Sequence, residues 1–491
     1  MKSKVSKVLS ILLSVVLVVS SFYLLYQVIR LNVLPSKFLF PLTIGVVVLD
    51  AIFILLLIYF SKNVVSKIIC IVLTLFICVA SCMGGYYISK TQNVLSNITN
   101  VAKHAKNTVS VIVKESSSIK DKSQLNGVSV GSLRLNEQGS KKVLKELSGE
   151  GIVLNQTEYD SMTALLEAFY NGEVDSIIIN ESSRSQILDM EAYSNFDSNT
   201  RVVYQTSYKV KNNDSATSVS DITSKPFNVL ISGSDTRGGF DENGRSDVIM
   251  VATVNPKTHT ILLTSVPRDF YVTTACDAGD GCMQGALDKI THTGIHGTNT
   301  TKRTVEQLLG IEINYTFKVG FDTVTELVDV LGGVDVYVEP GYATTTSEFS
   351  VHEGVNHLNA QQALAFARER YSYTEGDRQR TKNQQQVLMG IVKEATKPSV
   401  ITNYAAIMDT MANTFSTTMS NAEITDLIKY QLNNNPTWKM EQYMVDGTGD
   451  TLMCAELGDA ASVMVPDQST VKMAKDKINA VLAGKSSEDV K

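Results

Sequence analysis

Three apolar runs crowd the first 90 residues, at about Val8–Ile29, Phe38–Phe60 and Ile68–Ile88, and they constrain every later reading of the chain. Each is about 20 residues long, the length a helix needs to cross a ~30 Å hydrocarbon core. Polar interruptions are few: Ser14, Ser20, Ser21, Gln27 and Asp50. Buried helices of a soluble domain rarely come as three such runs in succession. No small-residue cleavage site followed directly by polar chain marks a removable leader. Residues 1–90 therefore read as a three-helix membrane anchor.

Charge suggests its orientation. Lys2, Lys4 and Lys7 precede the first run, and Lys62 and Lys67 lie in the short second loop, so both segments are expected on the cytoplasmic side. The first loop carries Arg30 and Lys37, which makes the contrast modest. Three spans then put the N-terminus in the cytoplasm and everything from about Ser89 outside. The expectation is a multi-pass cell-membrane protein, in contact with membrane lipid, whose C-terminal domains are extracellular. The whole chain has 491 residues, with 44 basic and 50 acidic side chains and a formal charge of −6. That balance excludes a generally basic nucleic-acid binder, though not a local basic pocket.

Cysteine placement agrees with this. Cys70, Cys78 and Cys82 fall in the third apolar run, where a thiol acts as a small hydrophobe. Cys276 and Cys282 frame the loop CDAGDGC outside the membrane, where a disulfide is permitted; the pair reads as bonded, against two free thiols. Cys454 is left alone and is expected to be buried. No CxxC pair exists, so no structural zinc site is expected.

Beyond the anchor, residues 91–108 are polar and helix-compatible and read as a stalk. Residues 109–210 alternate β-branched runs (Val109–Val113, Val128–Gly131, Gly151–Leu154, Ser176–Ile179, Arg201–Gln205) with helical spacing at Ser140–Leu147 and Ser161–Tyr170. This predicts a small α/β accessory domain without a catalytic cluster. Residues 211–225 read as a polar linker, 226–484 as the last domain and 485–491 as a disordered tail.

Arginine usage locates the chemistry. The chain has 12 Arg, eight of them between Arg237 and Arg380 and none in the final 111 residues. A planar guanidinium donates two parallel bonds to phosphate oxygens, which an ammonium cannot. Surface ion pairs are the bland alternative. Phe227–Ser232, Val248–Val254 and Thr260–Val266 read as strands of an up-down-up meander, the last two joined by the turn NPKTH. The meander brings Asp235, Arg245, Asp247 and Arg268 to one sheet edge. Carboxylates suit a hard divalent cation and guanidiniums suit phosphate oxygens, so the edge fits a metal–diphosphate site, with a structural ion-pair network as the alternative.

A second cluster lies in HLNAQQALAFARERYSYTEGDRQRTKNQQQVLMGIV, with Arg368, Arg370, Asp377, Arg378, Arg380 and Gln384. Apolar spacing predicts one helix entering it and another leaving. Arg368 and Arg370 are two apart and would diverge on a regular helix, so the helix is expected to unwind there.

The strings GSDTRGGFDENGRSDVIMVATVNPKTHTILLTSVPRDFYV, KITHTGIHGTNTTKRTVEQLLGI, VGFDTVTELVDVLGGVDVYV and HLNAQQALAFARER…GDRQRTKNQQQVLMGI resemble the LytR-CpsA-Psr family over about Pro226–Lys397. Three spans and an intervening α/β domain resemble its capsule-type members. The resemblance implies an α/β fold with a central twisted mixed sheet flanked by helices, and an apolar pocket for a polyprenyl chain. By motif, Asp235 and Asp247 correspond to the family's Mg²⁺-associated aspartates, with Mn²⁺ as a substitute. Arg245, Arg268, Arg368 and Arg370 correspond to the arginines at the diphosphate, and Asp377, Arg380 and Gln384 to the later part of the pocket. Two positions depart from the family pattern: Gln379 replaces a Gly and Asn383 an Arg, for which Arg378 would have to compensate.

The implied activity is phosphotransfer. An undecaprenyl-diphosphate-linked polysaccharide, most simply a capsular one, is joined to a peptidoglycan hydroxyl through a phosphodiester, releasing polyprenyl phosphate. Asp235, Asp247, Arg268 and Asp377 are the candidate catalytic residues, Asp377 as the base. Nucleic acid is not an expected partner; capsule-assembly proteins are. A hydrolase acting on the same lipid diphosphate and a non-catalytic lipid-diphosphate-binding regulator of capsule synthesis are the alternatives. His292 and His296, four apart in THTGIHG, do not read as a metal site, because Gly294 and Gly297 argue against a helix and no third ligand adjoins them.

Overall fold

The computed structural model describes residues 2–60, 63–99, 104–134, 137–234, 242–277, 281–397, 406–407, 410 and 415–490. They form two compact units. Met1–Thr99, Val392–Ala412 and Ser420–Thr437 make one; Asn100–Ile391, Asn413–Met419 and Trp438–Lys491 make the other.

In the first unit the apolar runs are three helices, α1 (Lys2–Leu31), α2 (Ser36–Leu55) and α3 (Val64–Thr99), each long and apolar enough to cross a membrane. Thr74, Cys78, Ser81 and Gly85 are buried on α3 at helical spacing. A Cβ at Gly85 would lie 2.4 Å from the Tyr23 ring, so the small residue lets α1 and α3 approach closely. Ser21 donates to Asp50 at 2.9 Å and ties α1 to α2. The third helix has 36 residues and a length of about 54 Å, well beyond the hydrocarbon thickness. The helix Asn421–Asn434 belongs to this unit as well. Thr99 donates to Asn421 at 2.7 Å, Lys429 to Asn32 at 2.8 Å, and Lys37 to the Asn433 carbonyl at 2.6 Å.

The second unit begins with the accessory domain. Its strands β1 (His104–Lys114), β2 (Ser129–Leu133), β3 (Asn155–Tyr159), β4 (Ser176–Asn180) and β5 (Thr200–Lys211) form one sheet in the order β3-β2-β4-β1-β5. Helices α4 (Glu137–Gly149), α5 (Met162–Asn171) and the short α6 (Arg184–Asp189) pack on it. The chain is thus helical to Thr99 and enters β1 at His104, where a stalk to residue 108 was expected. The strand expected at Gly151–Leu154 lies instead at Asn155–Tyr159, a polar, exposed edge strand whose composition hid it from an apolar pattern.

The last domain is built on a six-stranded mixed sheet: β6 (Phe227–Ser234), β7 (Val248–Asn255), β8 (Thr260–Ser265), β9 (Tyr315–Gly320), β10 (Phe415–Thr417) and β11 (Lys439–Met444), ordered β10-β9-β6-β7-β8-β11. β6, β7 and β8 are antiparallel neighbours, while β9 and β11 run parallel to β6 and β8. Leu230, Ile249, Val251 and Leu262 are buried against Val305 and Leu309 of α7 (Thr298–Leu309) and against Val471, Ile478 and Val481 of the helix Gln468–Leu482. A second cluster joins Val328 of α8 (Phe321–Leu331), Phe366 of α9 (Ala360–Arg368) and Val387 of α10 (Asp377–Ala395). Gln385 fastens α10 to the sheet by donating to the Tyr443 carbonyl at 2.8 Å.

Two segments differ from expectation. The linker is a strap held to the domain: Ile222 is buried and Asp214 half-buried, Thr217 donates to the Asn314 carbonyl at 2.9 Å, and Val219 to the Tyr315 hydroxyl at 3.0 Å. The tail, as far as Val490, is also tied down. Ser487 is buried and donates to Glu441 at 2.8 Å, and Lys477 donates to the Ser487 carbonyl at 2.6 Å. Both errors share a cause: polar sequences satisfied by specific side chains look like free chain when only hydrophobicity is read.

Candidate functional site: an arginine-lined edge

The meander sets the first half of the site. Gly233 pairs with Val248 across β6 and β7, and the Asp247 amide donates to the Gly233 carbonyl at 2.8 Å. The start of β7 therefore lies beside the end of β6. Past the end of β8, Pro267 breaks the strand, having no amide to donate, and Arg268 follows it. Arg268 Nη1 donates to Asp247 Oδ1 at 2.9 Å, with Arg245 Nε 4.0 Å from the same oxygen. Asp235 lies outside the described residues.

A 3₁₀ turn, Ile290–His296, braces this edge from behind. The Thr291 amide donates to the Arg268 carbonyl and the Ser246 amide to the Thr291 carbonyl, both at 3.0 Å. Ser246 Oγ also joins Ser232 Oγ at 2.9 Å and Thr301 Oγ1 at 3.0 Å in a buried hydroxyl chain. A Cβ at Gly294 would sit 2.5 Å from the Gly244 carbonyl oxygen, so only glycine fits there. The two histidines of this turn take separate partners. His292 meets Asp288 at 2.7 Å and His296 meets Glu456 at 2.9 Å. Among the described residues no group of three or more His, Cys, Asp or Glu is arranged to hold a metal ion. Cys276 and Cys282 are bonded, and Cys454 is buried, its thiol pushed up to about 12 by burial and by Asp288.

The second half arrives from α9 and α10. An Asn359–Gln362 capping box starts α9, and the helix ends at Arg368, with Glu369 extended. Glu369 Oε1 accepts from the Tyr371 and Ser372 amides at 2.7 and 2.9 Å, and Gly376, at φ +53°, turns the chain into α10. Asp377, Arg380 and Gln384 then share one face of α10 by helical spacing. Asp377 takes Arg380 at 3.2 Å and Arg370 at 3.5 Å. Arg370 also donates to the Tyr371 hydroxyl at 2.5 Å and lies 4.6 Å from its ring centre. Arg368, at the helix end, is exposed, and Gln384 is half-buried.

Electrostatics link the halves. Burial pulls the Arg380 guanidinium below its ordinary value; Asp377 opposes this, and the like charges of Arg268 and Arg370 add to it. Burial acts the same way on Arg268, but the carboxylates of Asp247, Asp269 and Asp189 outweigh it and hold its pKa up. Three guanidiniums from distant parts of the chain thus feel one another. Nε of Arg245, Nε of Arg268 and the Ser234 hydroxyl are buried with no hydrogen-bond partner among the described residues. Packed donors of this kind suit an anion rich in acceptor oxygens.

The two departures from the family pattern explain each other. Gln379 donates to Asn383 at 2.9 Å, and Asn383 to the Phe366 carbonyl at 3.0 Å, a buried pair that supports the end of α9. Arg378 is bound to Asp446. Sequence reasoning missed Asp189, which pairs with Arg245 from the accessory domain, and Asp269, 3.6 Å from Arg268. Asp269 adjoins a singled-out arginine and was legible by position; Asp189 carried no sequence signal.

A family model described as the LytR_cpsA_psr family matches residues 192–480. The chain is 31% identical over 241 residues to the polyisoprenyl-teichoic acid–peptidoglycan teichoic acid transferase TagU of Bacillus cereus (strain AH820), covering 48% of this chain and 76% of that protein. It is 35% identical over 196 residues to TagU of Bacillus subtilis (strain 168), covering 40% of this chain and 60% of that one. The crystal structure of B. subtilis TagU matches with a TM-score of 0.41 and 28% identity, over 52% of this chain and 97% of that one.

Proposed function

Because this chain belongs to the LytR_cpsA_psr family, we propose that it transfers a polyprenyl-diphosphate-linked glycopolymer to peptidoglycan, with Arg245, Arg268, Arg370 and Arg380 gripping the diphosphate. The observation that carries this reading is the convergence of Arg268 with Arg370 and Arg380 about Asp247 and Asp377. A transition state that spreads charge over equatorial phosphoryl oxygens needs such preorganised donors more than covalent help. Arg368, exposed at the end of α9, is added to this set. Gln384, one turn beyond Arg380, completes the α10 face.

In the reaction, a peptidoglycan hydroxyl oxygen bonds to the sugar-linked phosphorus, and the bridging P–O bond to the polyprenyl phosphate breaks. The departing electron pair stays on that phosphate. Asp377 orients the hydroxyl and accepts its proton. Asp247 has one carboxylate oxygen beyond its ion pair with Arg268. With Asp235 it would hold Mg²⁺ or Mn²⁺, which needs only one or two protein carboxylates beside phosphate oxygens and water. Bound there, the cation supplies neutralisation of phosphate charge. The half-buried apolar side chains Phe317, Val319, Val324 and Leu327 along β9 and α8 offer the lipid chain a seat. The three N-terminal helices hold the protein in the membrane, with the basic N-terminus cytoplasmic and the arginine site outside, where peptidoglycan lies.

The polymer we assign is capsular polysaccharide. The matched relatives are named for teichoic acid, but the family model begins at residue 192, which leaves α1–α3 and most of the accessory domain outside it. The test incubates the full chain in detergent with a labelled polyprenyl-diphosphate oligosaccharide, Mg²⁺ and peptidoglycan. Wall-linked label, lost in Arg268→Ala, is expected. Label released only as soluble sugar phosphate would make the protein a hydrolase, and tight binding without turnover would make it a regulator.

A further inference from the structure

The accessory domain reaches the arginine site. Asp189, the last residue of α6, forms an ion pair with Arg245 and acts across space on Arg268. The Arg245 side chain is only 12% exposed, whereas that of Asp189 is 56% exposed. A carboxylate at the C-terminal end of a helix also faces like partial charge from the terminal carbonyls. Asp189 is therefore a solvated anion resting on a buried cation, which is the position a substrate phosphate oxygen would take.

The pair is not what docks the two domains. The Met162 amide donates to the Leu457 carbonyl at 2.9 Å, and Thr163 to Asp459 at 2.6 Å. Gly458, at φ +64°, lets that turn close on Ser161, where a Cβ would lie 2.5 Å from the serine Cβ. Thr108 bonds to Glu242, and Lys106 lies 3.4 Å from the same buried carboxylate. With docking secured elsewhere, the Asp189 charge is free to serve the site.

We infer that Asp189 is an affinity-setting residue of the diphosphate site: it occupies Arg245 in the free protein, and an incoming diphosphate must displace it. This rests on the diphosphate reading above. Displacement lowers the apparent affinity of any ligand that needs Arg245 by the fraction of protein in which Arg245 is already paired. An ion pair with one exposed partner is weak, so the effect is about two- to five-fold.

The test measures binding of inorganic pyrophosphate to the full chain in detergent by calorimetry. Asp189→Asn is expected to tighten binding about two- to five-fold at low salt, with the gain shrinking as salt rises. In an Arg245→Ala background the same change is expected to give a clearly smaller gain, only the part that reaches Arg268 across space, which a merely structural role would not produce. Unchanged or weaker binding in Asp189→Asn, or a gain of undiminished size without Arg245, overturns the inference alone. A wild-type chain that binds no pyrophosphate overturns the diphosphate reading and the inference together.

Discussion

Replacing Gly294 by alanine should disable the site without touching any residue that meets substrate. The new Cβ would lie 2.5 Å from both the Gly244 carbonyl oxygen and Ser246 Oγ, and 2.6 Å from the Ser246 nitrogen, where ordinary contact begins at 3.4 Å. Two of these three atoms are backbone, so roughly 0.9 Å must be found by moving main chain. The turn cannot simply retreat, because Thr291 bonds Ser246 and Arg268 through its backbone. The shift therefore falls on Gly244–Asp247 and moves Arg245 and Asp247. Overpacking of this kind costs about 1–3 kcal/mol, a Tm loss of about 2–4 °C per kcal/mol in a domain of this size. A displacement near 1 Å at the reacting groups costs about 100-fold in turnover. Gly149→Ala, with nothing among the described residues within 4 Å of its Cβ, is the control and should be neutral or slightly stabilising. Transfer activity and thermal unfolding are read on both variants. Wild-type turnover in Gly294→Ala would refute the claim that this turn braces the arginine edge.

Other outcomes follow from the same geometry. Burial pushes the Asp214 carboxyl up to about 6, against the opposing charge of Lys318 and the hydrogen bond from Asn212. Its folded pKa exceeds the unfolded 3.8, so the stability it contributes is complete below about pH 4 and lost as pH rises through 6, about 2–3 kcal/mol in all. Asp214→Asn should therefore melt above wild type at pH 7.5, with the gap closing at pH 4; an equal gap at both pH values would contradict this. Asn383→Ala leaves the buried Phe366 carbonyl without its donor, a loss of about 1–3 kcal/mol seen as a lower Tm, and an unchanged Tm would remove its supporting role. Arg268→Lys keeps the charge but not the paired donors, so kcat/KM should fall about 100-fold, or ~2.7 kcal/mol. EDTA should abolish transfer and Mg²⁺ or Mn²⁺ restore it, while turnover persisting in EDTA would remove the cation from the account.

The meander was legible because apolar alternation and the NPKTH turn place β6, β7 and β8 without tertiary information, and that alone brings Asp247 and Arg268 together. The end of α9 was legible too, since two arginines at i and i+2 cannot share a helical face. Asp189 was not, because it reaches Arg245 only through the docking of the accessory domain, by α5 on the turn before Asp459 and by β1 on Glu242, a packing of two domains that no local pattern encodes. Nor did the sequence reveal that Gln379 and Asn383, read as departures, would bond to each other, since side-chain pairing inside a helix layer depends on what that layer faces.

The central claim is that Arg268 and Arg380, 112 positions apart, hold one diphosphate. A double-mutant cycle on the affinity of the full chain for a short-chain polyprenyl diphosphate tests it directly. Arg268→Ala and Arg380→Ala should each weaken binding at least about tenfold, and the double variant should lose far less than the product of the two. Binding that ignores Arg380→Ala, or losses that simply multiply, would contradict a shared site.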